Sequence, residues 1–443
     1  LTLYELCAHA ALSVLYFIER KNVFALFRGI PAGGNMRFGV TFALFFCGLL
    51  HWGPVFAAEQ AISESAKAEP VKTEQGKTEH ERTFVPQQMA DLGKGKSPSI
   101  AASSGHLYVV YKNDDAIFFA DSSDFGKSWT APVKVSASTL NCTHAQVLAA
   151  PDGSINVVWQ GKASKEKANG IFYTRSTDGG KTFNEPVDIS GTKTESSEPQ
   201  LAIGHDNSLH IVWIDTLPAP AGPDVFYSCS TDNGKTWSKI EDVSNTPGAI
   251  SRSPGIAVGE DGRIHIVWSD TSSGDESPDV FYVWKKKGSD KWSAPEDISK
   301  DSGFSELPHV ACGQNGRVYF IWTDSSNKFV GDILCVIENA DGKFSKALNI
   351  SDSNGVSSQP AMAVDADGIS AVVWIDTTGN KNIPDLWMKV GNKETFSHKE
   401  KIWHSNDLTM YPSVSVLKGE AYVVWQETHA SGSLIKGCKV KLK

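Results

Sequence analysis

Ser230-Thr231-Asp232-Asn233-Gly234-Lys235-Thr236-Trp237 reads as a tight turn between two strands. The Asp232 carboxylate is placed to accept hydrogen bonds from the N–H groups of its own loop, and Gly234 is free to take a positive φ. Trp237 then drops back onto a sheet. The same spacing returns at Ser122-Ser123-Asp124-Phe125-Gly126-Lys127-Ser128-Trp129 and at Ser176-Thr177-Asp178-Gly179-Gly180-Lys181-Thr182-Phe183. A decayed copy is Asp341-Gly342-Lys343-Phe344. Asp124, Asp178 and Asp232 are therefore expected to be structural residues of the turn.

Around these turns a longer unit repeats seven times. It opens on a short apolar strand, usually entered through proline, as in Pro98-Ser99-Ile100-Ala101, Pro254-Gly255-Ile256-Ala257 and Pro412-Ser413-Val414-Ser415. A glycine turn such as Asp152-Gly153 or Asp261-Gly262 leads into a β-branched strand that ends in an aromatic residue. Those aromatics are Tyr111, Trp159, Trp213, Trp268, Trp322, Trp374 and Trp425, a spacing of roughly 50 residues that indicates a propeller array. A third strand, the Ser-x-Asp turn and a fourth strand such as Val187-Asp188-Ile189 complete the unit. The seventh copy stops after its third strand, and Phe84 to Met89 is expected to supply the missing strand and close the ring.

The S-x-D-x-G-x-x-W pattern resembles the Asp-box, or BNR, repeat of sialidase-like β-propellers, over residues 82–443. The resemblance implies an all-β seven-bladed propeller. Six blades, the number in true sialidases, is the alternative, and seven is preferred because the aromatic-ended strand can be counted seven times. Sialidases of this fold clamp the substrate carboxylate with three arginines, pair a Tyr nucleophile with a Glu, and use an Asp as acid/base. Guanidinium forks suit a planar carboxylate. Arg252-Ser253-Pro254 keeps the R-x-P form once, whereas Lys96-Ser97-Pro98 keeps only a lysine at the corresponding place. From residue 82 onward arginine is confined to Arg82, Arg175, Arg252, Arg263 and Arg317. Three of these are not expected to converge on one mouth. Tyr411 with Asp114 or Asp115 would imitate nucleophile and acid, and with Arg252 they form the alternative catalytic set of a divergent sialidase-like glycoside hydrolase.

Strand order puts the Ser-x-Asp turns on one face and the loops between second and third strands on the other. On that second face an acid recurs two residues beyond the aromatic: Asp215, Asp270, Asp324, Asp376 and Glu427. Five carboxylates at one mouth suit a cation, a sugar or a basic partner, but an acid that recurs with the repeat is better read as a cap on its own loop. The residues just before the opening proline vary from blade to blade, which the fold does not require. Lys96, His144, Glu198, Arg252, Glu306 and Tyr411 are therefore candidate ligand contacts, with Glu198 and Arg252 foremost. No H-E-x-x-H, C-x-x-C or G-x-S-x-G motif is present, so no metal, cofactor or serine nucleophile is expected from motifs. His210 and His265 share one repeat position inside a strand, which marks a packing role.

A formal net charge of −9 argues against nucleic acid as a partner. Cys142, Cys229, Cys312, Cys335 and Cys438 are scattered and odd in number, so free buried thiols are expected rather than a disulfide framework. At the N-terminus, residues 36–57 read as a secretory signal: Arg37, an apolar run from Val40 to Leu50, and small residues near Ala57. Residues 1–58 are thus an extension plus signal, and 59–81, rich in Glu, Lys, Ala and Thr, a disordered tether. The expectation is an exported protein, periplasmic or extracellular, with no membrane span once processed. It would serve as a non-catalytic binding or assembly module for a protein or glycan partner, as in a subunit of a larger exported complex.

Overall fold

The computed structural model describes residues 84–442, apart from 192, 218–221, 274–276, 301–302, 314–315, 326–330, 379–382 and 393–394. The signal segment, the tether and Arg82 lie outside the described residues. Seven antiparallel sheets are present and, among the described residues, no α-helix. Among these residues no helix is long and apolar enough to cross a membrane.

Each sheet is a blade. Blade one consists of Lys96–Ser103, His106–Asn113, Ala116–Ser122 and Val133–Lys134. Blades two to six begin at Leu140, Ser196, Ser251, Ser305 and Ser357. Blade seven is Leu408–Leu417, Glu420–His429 and Gly432–Lys441. Its outer strand comes from the other end of the chain: Gln87 pairs with Lys439 and Gln88 with Cys438, and Gly93–Lys94 extends the same edge. The expected closure is thus present, and it removes the unpaired strand edge. In blade six the outer strand is split into Thr395–Phe396 and Glu400–Trp403, both pairing with Asp385–Asn392.

Alternation places the aromatic end of each second strand in the core. Trp159, Trp213, Trp268, Trp322, Trp374 and Trp425 are completely buried, and Tyr111 nearly so. They fill the wedge between neighbouring blades with Val and Ile from the same strands, a large apolar area per residue.

The Ser-x-Asp turns bind blade to blade. In blade one, Asp124 accepts from Ser128 N–H at 2.9 Å, Ser128 Oγ at 2.6 Å and Ser122 Oγ at 2.8 Å. Asp178 and Asp232 repeat these bonds in blades two and three. These bonds favour the charged form and lower all three carboxyls to about 2. The turn glycine is needed twice over. Gly180 has φ +84° and a Cβ there would lie 2.1 Å from the Phe119 ring of the preceding blade; Gly234 has φ +79° and would meet Tyr173 at 2.3 Å. The aromatic that follows stands edge-on to the same neighbour, Phe183 on Phe119 and Trp237 on Tyr173, each at 5.2 Å. Trp292 on Tyr227 and Phe344 on Tyr282 continue the series where the Ser-x-Asp sequence has decayed. The aromatic outlasts the carboxylate because it carries the packing between blades.

The five described cysteines are free, with Cys142, Cys335 and Cys438 buried. Burial pushes the Cys312, Cys335 and Cys438 thiols up to about 12, which leaves them inert. His210 and His265 stack on Tyr227 and Tyr282, with Nδ1 at 2.8 Å from each phenol oxygen.

Candidate functional site

The face opposite the Ser-x-Asp turns is shaped by one backbone device used seven times. In every blade the pairing of the first strand with the second slips near its start, for example between Arg252 and Gly255, Glu306 and His309, and Met410 and Ser413. At each slip one non-glycine residue takes a left-handed φ of 48° to 55°: Ser97, His144, Glu198, Ser253, Leu307, Gln359 and Tyr411. Such a conformation costs about 1–2 kcal/mol per residue for an L side chain. A bulge of this kind bends the strand and re-aims its side chains. The backbone at this position is thus dictated by the fold, while the side chain it presents is free to vary.

Neighbouring bulges are tied together. Glu198 Oε2 of blade three accepts the Ser253 N–H of blade four at 2.7 Å. Gln359 Oε1 of blade six accepts the Tyr411 N–H of blade seven at 2.6 Å, and Gln426 Oε1 of blade seven accepts the Ser97 N–H of blade one at 3.1 Å. Glu198 therefore has one carboxylate oxygen committed to holding the ring.

The recurring acids lie beneath this surface. Asp215, Asp270, Asp324, Asp376 and Glu427 are all buried. Asp270 accepts from Ser251 Oγ at 2.7 Å, from Trp268 Nε1 at 3.0 Å and from Ser272 N–H at 2.8 Å. Asp376 accepts from Ser357 Oγ at 2.7 Å and Thr378 N–H at 2.6 Å, bonds that outweigh burial and keep its carboxyl below the ordinary range. Asp215 takes hydroxyls from Thr194 and Ser196, and Asp324 takes Ser305 Oγ at 3.0 Å. Each of these four acids pins the loop beside it.

Directly across the sheet stands a second series of acids. Asp215 faces Asp224, Asp270 faces Asp279, Asp324 faces Asp332 and Asp376 faces Asp385. Like charges opposite one another are unfavourable, and hydroxyls disperse them: Ser244 and Thr246 on Asp224, Ser299 on Asp279, Ser351 on Asp332. Burial, with Asp270 nearby, raises the Asp224 carboxyl. The signal for this series was in the chain as Pro223-Asp224-Val225, Pro278-Asp279-Val280 and Pro384-Asp385-Leu386, a repeat that sequence reasoning passed over.

What remains open to solvent at the mouth is mixed in character. Lys96, His144, Arg252, Glu306 and Tyr411 are exposed, and so are Asp114 and Asp115 in the short turn of blade one. Tyr411 is 45% exposed and Leu307 40%, both on left-handed bulge positions. Leu140, Phe304 and Val356 are exposed on the same face. The Glu306 carboxyl is raised, chiefly because surrounding protein displaces water from it, with Arg252 pulling it back down. Among the described residues Arg252 is the one arginine here. Arg175 pairs with Asp152, Arg263 with Glu338 at 3.2 Å, and Arg317 lines a crevice with Asn339 and Asp341, all on the opposite side.

No family model matches the chain. An anhydrosialidase of Macrobdella decora is 29% identical over 157 residues, which is 35% of this chain and 19% of that protein. The chain thus spans about a fifth of the length of the curated relative it matches. Among solved structures, an ulvan lyase has 13% identity and a TM-score of 0.54, over 79% of this chain and 95% of its own. A protein of unknown function from Dyadobacter fermentans has 16% identity and a TM-score of 0.52, over 82% and 99%. The likeness is one of fold.

Proposed function

We propose that this propeller is an exported, non-catalytic binding module that holds a protein partner at the mouth formed by Arg252, Leu307 and Tyr411. One observation carries the reading: the buried acids, with Glu198 and Gln359 at their bulges, serve the ring itself, and what is left exposed sets apolar Phe304, Leu307 and Tyr411 among a few charged side chains of which, among the described residues, Arg252 is the one arginine. Such a surface suits a partner that brings apolar side chains and an acidic group, because apolar contact supplies affinity and the charge supplies orientation. A rigid ring whose bulge residues vary without disturbing the backbone is also suited to assembly within a larger exported complex. A glycan is the other occupant of the same mouth, stacking on Tyr411.

The second reading is a divergent glycoside hydrolase. It draws on the raised carboxyl of Glu306, which favours a proton donor, and on the exposure of Tyr411 in the blade next to the one that carries Asp114 and Asp115. Against it stands the lone arginine, since a sialic acid carboxylate would lack two of the three forks that clamp it. Turnover of model sialosides separates the two. The binding module shows none above the uncatalysed rate. Turnover that falls at least tenfold in Tyr411→Phe would replace it with the hydrolase.

A further inference from the structure

Blade seven departs from its neighbours at the position of the recurring acid. In blades three to six the acid is Asp, and the serine directly across from it donates its hydroxyl: Ser196 to Asp215, Ser251 to Asp270, Ser305 to Asp324, Ser357 to Asp376. In blade seven Thr409 faces Glu427 in the same register. Thr409 is completely buried, yet its hydroxyl has no hydrogen-bond partner among the described residues.

The next rung outward explains what stands there instead. Residues two apart on a strand share a face, so His429 lies on the same side as Glu427, and Asp407, in the bend just before the first strand, comes up against it. His429 Nδ1 lies 2.8 Å from Asp407 Oδ2. One ligand atom each from Asp407, Glu427 and His429 falls within 4.8 Å of the others. Ser405 Oγ donates to Glu427 Oε1, which orients that carboxylate, and the Asp407 backbone N–H donates to Ser405 Oγ at 2.9 Å, which fixes the loop carrying Asp407. His429 Nε2 is buried and without a partner among the described residues. The corresponding positions of blades three, four and six hold Thr194 with Leu217, Ala249 with Ser272, and Gly355 with Thr378, none of them a ligand pair.

We propose that Asp407, Glu427 and His429 form a divalent-cation site in the closing blade, with Thr409 as a neutral oxygen beside it, fitted to zinc. An imidazole with two carboxylates is a zinc-type donor set, whereas calcium takes oxygen ligands alone. A dication between Asp407 and Glu427 would remove the repulsion of two carboxylates held together, and would give the orphaned Thr409 hydroxyl an electrostatic partner. It would also rivet the entrance of the first strand to the exit of the second in the blade that closes the ring. The site lies in blade seven, on the strand pair that also carries Tyr411, but it rests on its own donor set and does not depend on the proposed binding role.

The full chain, stripped with chelator and titrated with zinc against a chromogenic competitor, is expected to bind one ion. Its thermal midpoint should rise with zinc and return on chelation. His429→Ala and Glu427→Gln should each weaken binding at least tenfold, and Ser405→Ala, which only orients Glu427, by about tenfold. His404→Ala removes a different exposed histidine, beside Asp385, and should leave affinity unchanged. Failure of the unaltered chain to bind zinc at micromolar concentration would overturn the proposal whatever the variants do. Equal affinity in wild type, His429→Ala and Glu427→Gln would overturn it too, as would loss of binding in His404→Ala.

Discussion

Glu198 of blade three reaches across to Ser253 of blade four and accepts its backbone N–H at 2.7 Å. The donor belongs to a residue held at φ +51°, so the bond steadies a conformation the chain would otherwise leave. It also sits one residue from Arg252, the exposed guanidinium of the mouth. A carboxylate that reads in sequence as a ligand contact thereby positions the residue next to the arginine.

Because an amide oxygen can replace a carboxylate oxygen as acceptor, Glu198→Gln should be close to neutral in stability. Glu198→Ala should lose about 1 kcal/mol, the net worth of one such bond. Urea unfolding followed by tryptophan fluorescence measures both. If Glu198→Gln retains stability but abolishes partner binding, the second carboxylate oxygen contacts the ligand as well.

The three Ser-x-Asp turns set an acid limit. Asp124, Asp178 and Asp232 titrate at about 2 in the folded protein, against an ordinary 3.8. A depressed carboxyl contributes stability that is complete above the ordinary value and is lost as pH falls through the folded one. Stability should therefore decline between about pH 4 and pH 2. The Asp232→Asn variant should show a shallower decline across that window, read by equilibrium unfolding at stepped pH. An unchanged slope would mean the turns carry no such linkage.

Histidines act in a higher window, with the same sign for a different reason. Burial lowers His210 to about 4 and His265 to about 3, while the unfolded chain protonates them near 6.5. Between these values the unfolded state binds more protons, so stability falls as pH drops from 6.5 towards 4. His309, also lowered to about 4 by burial, adds to it. A His210→Phe, His265→Phe double variant should flatten that part of the profile, at some cost in stability from the two phenols left without their imidazole partner.

Ring closure can be tested by one methionine. Met89 is buried between Gly126 and Gly437, where a Cβ on either glycine would lie within 2.4 Å of its side chain, and its N–H donates to Gly437 at 2.9 Å. Met89→Ala should cost about 2–4 kcal/mol, in the range for a large-to-small change in a packed core. Chemical denaturation reads the loss. A neutral result would mean that the N-terminal strand is dispensable for the ring.

Much of this architecture is legible in the chain because its causes are local. The alternation that buries Trp213 or Trp374, the glycine turns and the Ser-x-Asp spacing each act within a few residues, so their period exposes the blades. The mouth is less legible because its causes are not local. Proline after Glu198, Leu307 and Tyr411 suggests extended backbone before it, yet the bulge holds all three left-handed. Nor does any spacing reveal that Glu198 and Gln359 reach into the next blade. The contact of Asp407 with His429 joins the bend before one strand to the end of the next, which a list of residues does not display.

The central claim is that the exposed face around Arg252 and Tyr411 binds a partner without transforming it. A photo-crosslinking residue placed at Tyr411 in one preparation, and at Lys235 on the opposite face in another, tests this in the organism's own exported fraction. The account predicts a discrete adduct from Tyr411 that disappears when Arg252→Ala is added, and none from Lys235. An adduct from Lys235 alone, or one from Tyr411 that is indifferent to Arg252→Ala, would contradict it.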